Sequence, residues 1–151
     1  MKILLPVDGS KHGGAAVEEL MKRSWPWDTE VLVLSVAHPL PYFRDPLMVG
    51  LACHIDSVKE ESKRANRVVA EVAETIAKGA PGLKVSTKVL EGTPKQLIVE
   101  EAGRWQPDLI MLRSHGNGPA ERFLLGSVAQ SVAVYAPCSV EIVRNRTLAQ
   151  S

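Results

Sequence analysis

Residues 108–143, DLIMLRSHGNGPAERFLLGSVAQSVAVYAPCSVEIV, decide how this chain folds. An apolar run, Asp108 to Leu112, passes into a glycine-containing loop, Ser114 to Gly118. Gly126-Ser127 then opens a helical pattern, and Pro137 precedes a second apolar run, Ser139 to Val143. Strand, loop, helix and strand in that order make a parallel crossover. Such a unit sets a loop and a helix N-terminus together at the carboxyl edge of a sheet. Unpaired backbone N–H groups and the helix dipole favour an anion there, and phosphate is the usual one.

Working outward, the remaining chain repeats the alternation. Lys2 to Val7 is a short branched apolar run stopped by the turn signal Asp8-Gly9. Ser10 is placed to cap a helix in which Ala15, Ala16, Leu20 and Met21 recur, and Trp25-Pro26-Trp27 ends it. Val31 to Val36 is nearly continuous apolar sequence, as expected of a strand covered on both faces. An irregular stretch from Ala37 to about Leu51 follows, with prolines at 39, 41 and 46. Its length suits either a binding lid or a variable surface loop.

Ser57 and Glu60 have the spacing of a capping box. After them Val58, Ala65, Val68, Val69, Val72 and Ile76 fall on one helical face, closed by Gly79, Pro81 and Gly82. Leu83 to Leu90 alternates, as a strand near a sheet edge would. Thr93 and Pro94 occupy the N-cap and first position of another helix, which Leu97, Ile98 and Ala102 turn inward. The reading is a single α/β domain, residues 1–144, with a polar tail, 145–151. Its core is an open five-stranded parallel sheet with helices on both faces.

Composition bounds the function. At 151 residues and 45% hydrophobic the chain can bury a real core. A net charge of +1 gives no field that selects nucleic acid or an anionic membrane, so neither is expected as a partner. Cys53 and Cys138 are too few for a disulfide framework or thiolate zinc site, and no apolar run spans a bilayer. The N-terminal run is too short for a signal peptide. A cytoplasmic location is the expectation.

Taken together, Leu5-Pro6-Val7-Asp8-Gly9-Ser10, Val31 to Val36, Ser114-His115-Gly116, Leu124-Leu125-Gly126-Ser127-Val128 and Ala136-Pro137-Cys138 resemble the universal stress protein family over essentially the whole chain. The ATP-binding branch of that family carries G-x2-G-x9-G-[ST]. Gly116 and Gly126-Ser127 fit its second and third elements, whereas Arg113 stands at the first glycine.

The resemblance implies strand order 3-2-1-4-5, a Rossmann-like arrangement of the adenine nucleotide alpha hydrolase type. It implies a cofactor, ATP or another adenine nucleotide, with or without magnesium. Asp8, beside Pro6 and Val7, corresponds to the residue that reads adenine, and Val36 to the apolar residue next to the base. Gly116, Gly126, Ser127 and Val128 correspond to the phosphate-binding loop and helix start. Leu112, Arg113 and His115 are further cofactor-binding candidates, and His115 has three readings: a phosphate contact, a residue that orients the loop, or an ordinary loop histidine. It also implies a homodimer through Ser139 to Val143 and a stress-response sensor or regulator acting through a protein partner.

Arg113 has three readings. Its guanidinium pairs with phosphate, fills the space the glycine leaves, or turns to solvent. Under the second, the chain is a dimeric stress protein that binds no nucleotide. Asp8, His115 and Ser127 could be written as an acid, base and nucleophile, but the G-x-S-x-G elbow is absent. At most a slow ATP hydrolase is conceivable. No histidine pair has metal-ligand spacing, so neither a catalytic residue nor a metal site is expected. Trp25, Trp27 and Trp105 read as packing residues at helix ends.

Overall fold

A computed structural model describes residues 1–9, 14–37, 51–114 and 125–144, with the backbone alone for 51–57. Among the described residues five strands alternate with four helices: β1 Lys2–Pro6, α1 Gly14–Lys22, β2 Glu30–Ala37, α2 Leu51–Gly79, β3 Lys84–Glu91, α3 Pro94–Trp105, β4 Leu109–Arg113, α4 Ser127–Tyr135 and β5 Ser139–Val143. All registered pairs are parallel and the sheet runs β3-β2-β1-β4-β5. The order reverses between β1 and β4, which makes their carboxyl ends the topological switch point.

The central strands are apolar because both of their faces are covered. Ile3, Leu4 and Leu5 are fully buried, yet successive side chains serve different layers. Ile3 and Leu5 pack with Ala16, Val17 and Leu20 of α1 and Val69 and Ile76 of α2. Leu4 packs with Ile98 and Ala102 of α3 and Ala129 and Val132 of α4. Each fully buried Val, Leu or Ile side chain among them contributes about 1.5–3 kcal/mol, so the two layers hold the sheet from both sides.

The helix faces follow their apolar spacing. In α2 the expected stripe is buried at Ala65, Val69 and Ile76 and half-buried at Val68 and Val72. Ser57, however, lies inside α2, which begins at Leu51, so the Ser57–Glu60 spacing caps nothing. Leu51, Ile55 and Val58 continue the helical repeat backwards, and a repeat that extends upstream outweighs one potential cap. Thr93 and Pro94 do open α3 as N-cap and first residue, without a side-chain cap hydrogen bond.

β3 and β5 are the sheet edges. The alternation expected of β3 holds only at its start, where half-buried Val85 lies between exposed Lys84 and Ser86; Thr87 is exposed, and Lys88, Val89 and Leu90 are all half-buried. Trp25 packs on the α1/α2 layer and donates its indole Nε1–H to the carbonyl of Leu20 at 2.7 Å. Trp105 packs on the other layer, under Lys2 Nζ at 5.2 Å from its ring. Trp27 is 91% exposed and is not a packing residue. It shares with Asp28, whose φ is 62°, the turn that leads into β2. The irregular stretch after β2 and the tail 145–151 lie outside the described residues, apart from its ends Ala37 and Leu51.

Candidate functional site

The crevice is built by the ends of β1 and β4. Their pairing runs Ile3↔Leu109 and Leu4↔Ile110. Continuing that register sets Val7 level with Arg113 and Asp8 level with Ser114. Pro6 has no N–H to donate to a ladder, and it stands opposite Leu34 on the β2 side. Val7 then donates its N–H to the Leu34 carbonyl at 2.8 Å, so β2 guides the chain up to the loop. Val7 is half-buried against the α1/α2 layer, which leaves Asp8 exposed at the sheet's carboxyl edge.

Gly9 turns the loop with φ of +76°, a conformation that residues with a Cβ adopt at a cost. It also lies against α2. A Cβ on Gly9 would stand 2.9 Å from Val68 Cγ2 and 3.9 Å from both Nε and Nη2 of Arg64. The guanidinium of Arg64 is therefore a neighbour of the loop that carries Asp8. Sequence reading missed it. Arg64 and Val68 are one helical turn apart, and nothing in their own spacing says that a loop descends onto them.

Val36, near the end of β2, is half-buried and packs on the α3/α4 layer, opposite Leu90 of β3. Leu112 is buried in the same layer, and Arg113 ends β4 half-buried, in register with Val143. Beyond it the Ser114 N–H meets the Val143 carbonyl at 2.9 Å, and the Gly126 N–H meets the Ser114 carbonyl at 3.0 Å. Those two bonds fix the entrance and the exit of the β4–α4 loop to one point above β4. Gly126, with φ of −58° and ψ of 150°, is the N-cap of α4. Its carbonyl accepts the first helical bond, from Gln130 at 2.9 Å.

The N–H groups of Ser127, Val128 and Ala129 precede that bond and lie in the first turn, where an α-helix has no internal acceptors for them. Ser127 adds an exposed hydroxyl, and Val128 is half-buried against the α3/α4 layer. Asp8, Val36, Arg113, Gly126, Ser127 and Val128 thus gather at one edge of the sheet. His115 and Gly116 lie outside the described residues, so the second glycine of the signature has no described geometry.

Chemically, this edge offers helix-start donors and a hydroxyl for an anion, an exposed carboxylate for a hydrogen-bond donor, and the apolar Val36 of β2 on the far side of β1. Among the described residues no three histidine, cysteine, aspartate or glutamate side chains gather as a metal site would require. Cys138 sits at the opposite, amino end of the sheet, before β5. Burial, then the negative charge of Asp108, pushes its thiol pKa up, against a hydrogen bond from the Ile110 backbone. No described helix is long and apolar enough to cross a membrane.

Residues 1–144 match the model of the Universal stress protein family. A universal stress protein of Methanocaldococcus jannaschii is 34% identical over 143 residues, covering 95% of this chain and 81% of that one. The solved universal stress protein UspA of Lactobacillus plantarum superposes with a TM-score of 0.77 at 27% identity, covering 95% of this chain and 97% of the other. A family protein of Arabidopsis thaliana, solved with AMP bound, has a TM-score of 0.66 at 16% identity, with coverage of 97% and 93%. At that identity the likeness is one of fold.

Proposed function

The chain belongs to the universal stress protein family, and from that premise we propose that it binds an adenine nucleotide at the crevice between β1 and β4 and works as a stress-response sensor or regulator. In this reading Asp8 accepts a hydrogen bond from the adenine. Val36 lies beside the base, with Pro6 and Val7 forming the floor near Asp8. The first turn of α4, from Gly126 through Ser127 to Val128, receives the phosphates, together with His115 and Gly116. Leu112, buried within β4, anchors the strand end beside the site, and Arg113 stands at the phosphate end as a guanidinium donor in place of the family's glycine.

One observation carries the reading. The Gly126 N–H bond to Ser114, at 3.0 Å, holds the N-terminus of α4 directly above the end of β4, one strand from Asp8. A helix start in that position favours a phosphate through both its free N–H groups and its dipole. The AMP held by the Arabidopsis protein of the same fold supports an adenine nucleotide as the ligand class. Magnesium, where present, would accompany a polyphosphate and would not be held by a protein cage.

A nucleotide acts here by population shift. Binding stabilises one arrangement of the loops by its differential affinity, and a protein partner reads the result. The same reading gives the protein a cytoplasmic location and a homodimer joined through β5, an edge strand whose unpaired side is an association surface.

The test is a titration of nucleotide-stripped protein with ATP, ADP and AMP, with and without magnesium, alongside Arg113→Gly. Saturable binding at about micromolar Kd, equivalent to about 8 kcal/mol, is expected. Equal ATP affinity in Arg113→Gly would remove a phosphate role for Arg113. Binding by the variant alone would mean that the arginine closes the pocket, and the function would then lie in protein contacts.

A further inference from the structure

Among the described residues nothing pairs with the outer edge of β5, and that strand carries an acidic residue at its centre, Glu141 of Ser139–Val143. A charge at the middle of an edge strand ordinarily discourages strand addition. Here the charge is met. Arg23, just past α1, donates Nη1 to Glu141 Oε2 at 2.7 Å and Nη2 to Oε1 at 2.5 Å, a bidentate pair. The same guanidinium donates Nε to Glu19 Oε1 at 2.8 Å, so its orientation is fixed from α1.

Symmetry limits how β5 can meet a second copy of itself. Antiparallel pairing about a two-fold axis normal to the sheet keeps each face of the sheet on its own side. Directly opposed side chains then share a face, and one residue must lie opposite itself. Overlap of all of Ser139–Val143 puts Glu141 on the axis. Moving the axis to Val140 or to Ile142 leaves only Ser139–Glu141 or Glu141–Val143 paired.

The register with the most backbone pairing is therefore the one that sets two carboxylates face to face. Like charges directly opposite destabilise a strand pair. We infer that the Arg23–Glu141 pair is what permits β5 to pair in full register with a second copy of this chain, the two pairs meeting across the two-fold axis.

The surroundings of β5 agree with a second copy as the occupant. Val140 and Ile142 are half-buried against the α3/α4 layer, and Val143 against the α1/α2 layer, so apolar surface borders the charged pair on both sides of the strand. α4, which packs on β5, leaves Val134 and Tyr135 71% and 70% exposed. Pairing of β5 brings the α4 helices of two copies to the same side of the joined sheet, where that apolar flank is continuous with the strand.

The inference rests on the proposed dimer through β5, and the experiment separates the two. Dimer dissociation is measured by sedimentation equilibrium for wild type, Arg23→Ala, Glu141→Gln and the double variant. Far-UV circular dichroism of each one checks that the protomer is folded. Arg23→Ala is expected to raise the dimer Kd by about 10-fold or more, since two carboxylates then face each other unscreened. The double variant is expected to return to within about 3-fold of wild type. An unchanged Kd in Arg23→Ala, or a double variant as weak as Arg23→Ala, overturns the role of the pair.

Register is read separately by oxidation of single cysteines, Val140→Cys, Glu141→Cys and Ile142→Cys, in a Cys53→Ser, Cys138→Ser background. Directly opposed strand positions lie within disulfide reach. Cross-linking strongest at 141 supports the full register. Cross-linking strongest at 140 or 142 overturns it while leaving the β5 dimer standing. A monomeric wild type, or a dimer that cross-links at none of the three, overturns the β5 dimer itself.

Discussion

Gly9 touches α2 so closely that it has no space for a side chain: a Cβ would lie 2.9 Å from Val68 Cγ2. The contact clamps the loop bearing Asp8 onto a helix whose Val69 and Ile76 belong to the core. Position and backbone conformation act together, because φ of +76° already disfavours any residue but glycine. Gly9→Ala is expected to destabilise the protein by about 1–3 kcal/mol in urea unfolding. It should also weaken AMP binding beyond what stability loss explains, since the loop must lift off α2. Gly103 provides the contrast: it is exposed within α3, and a Cβ there meets nothing within 4 Å. Gly103→Ala is expected to stabilise by about 0.5–1 kcal/mol and to leave AMP binding alone. Equal effects of the two substitutions would remove the argument from the Val68 contact.

Glu101 is 3% exposed, and its carboxylate is met at 2.8 and 2.9 Å by the ammonium of Lys88, reaching from β3 to α3. Arg104 stands further off, at 3.7 Å. A buried carboxylate deprived of its main partner keeps its desolvation cost and loses its compensation. Lys88→Met is therefore expected to destabilise by about 2–4 kcal/mol, Arg104 making up part of the loss. Combining it with Glu101→Leu should recover most of that, because the unpaired charge, not the absent bridge, is the source of the penalty. Urea midpoints of the three variants against wild type decide it. A double variant no more stable than Lys88→Met would mean that the bridge itself holds β3 to α3.

The central strands could be read because both of their faces are covered. Ile3, Leu4 and Leu5 serve two layers, so burial leaves an unbroken apolar run in the sequence. The adjacency of β1 and β4 could not be read that way. It depends on which helix crosses which face, and the pairing Leu4↔Ile110 agrees with what the family resemblance implies. Local signals failed where a longer pattern competed with them, as when the repeat from Leu51 absorbed Ser57 into α2. Trp27 misled for another reason: a large aromatic predicts burial, but this one stands exposed in the turn between α1 and β2. At the site, Asp8-Gly9 announced a turn, and Gly126-Ser127 a helix start. Arg64 was invisible because its place beside the loop of Asp8 comes from where that loop lands, which is a tertiary fact without a sequence period.

Cys138 precedes β5 at the amino end of the sheet, away from the crevice, and its thiol is held protonated by burial and by Asp108. The direction fixes the sign of its contribution to stability. A thiol in the unfolded chain ionises near pH 8.5, whereas the folded one ionises higher. Below the unfolded value both states hold the proton and the contribution of Cys138 is fully present. As pH rises past that value the unfolded state releases its proton first, which draws the equilibrium towards unfolding. The contribution is lost progressively until the folded thiol also ionises. Wild type should therefore lose part of its advantage over Cys138→Ala as pH rises past about 8, while their difference stays constant below about pH 7.5. Cys53 is common to both proteins and cancels in the comparison. Alkylation by iodoacetamide gives a second readout: in the folded Cys53→Ser protein Cys138 should react more slowly at pH 8 than in the same chain unfolded in urea, because the thiolate is the nucleophile. A stability difference that does not change across the alkaline range, together with equal alkylation rates, would mean that the thiol ionises in the folded protein as it does in water.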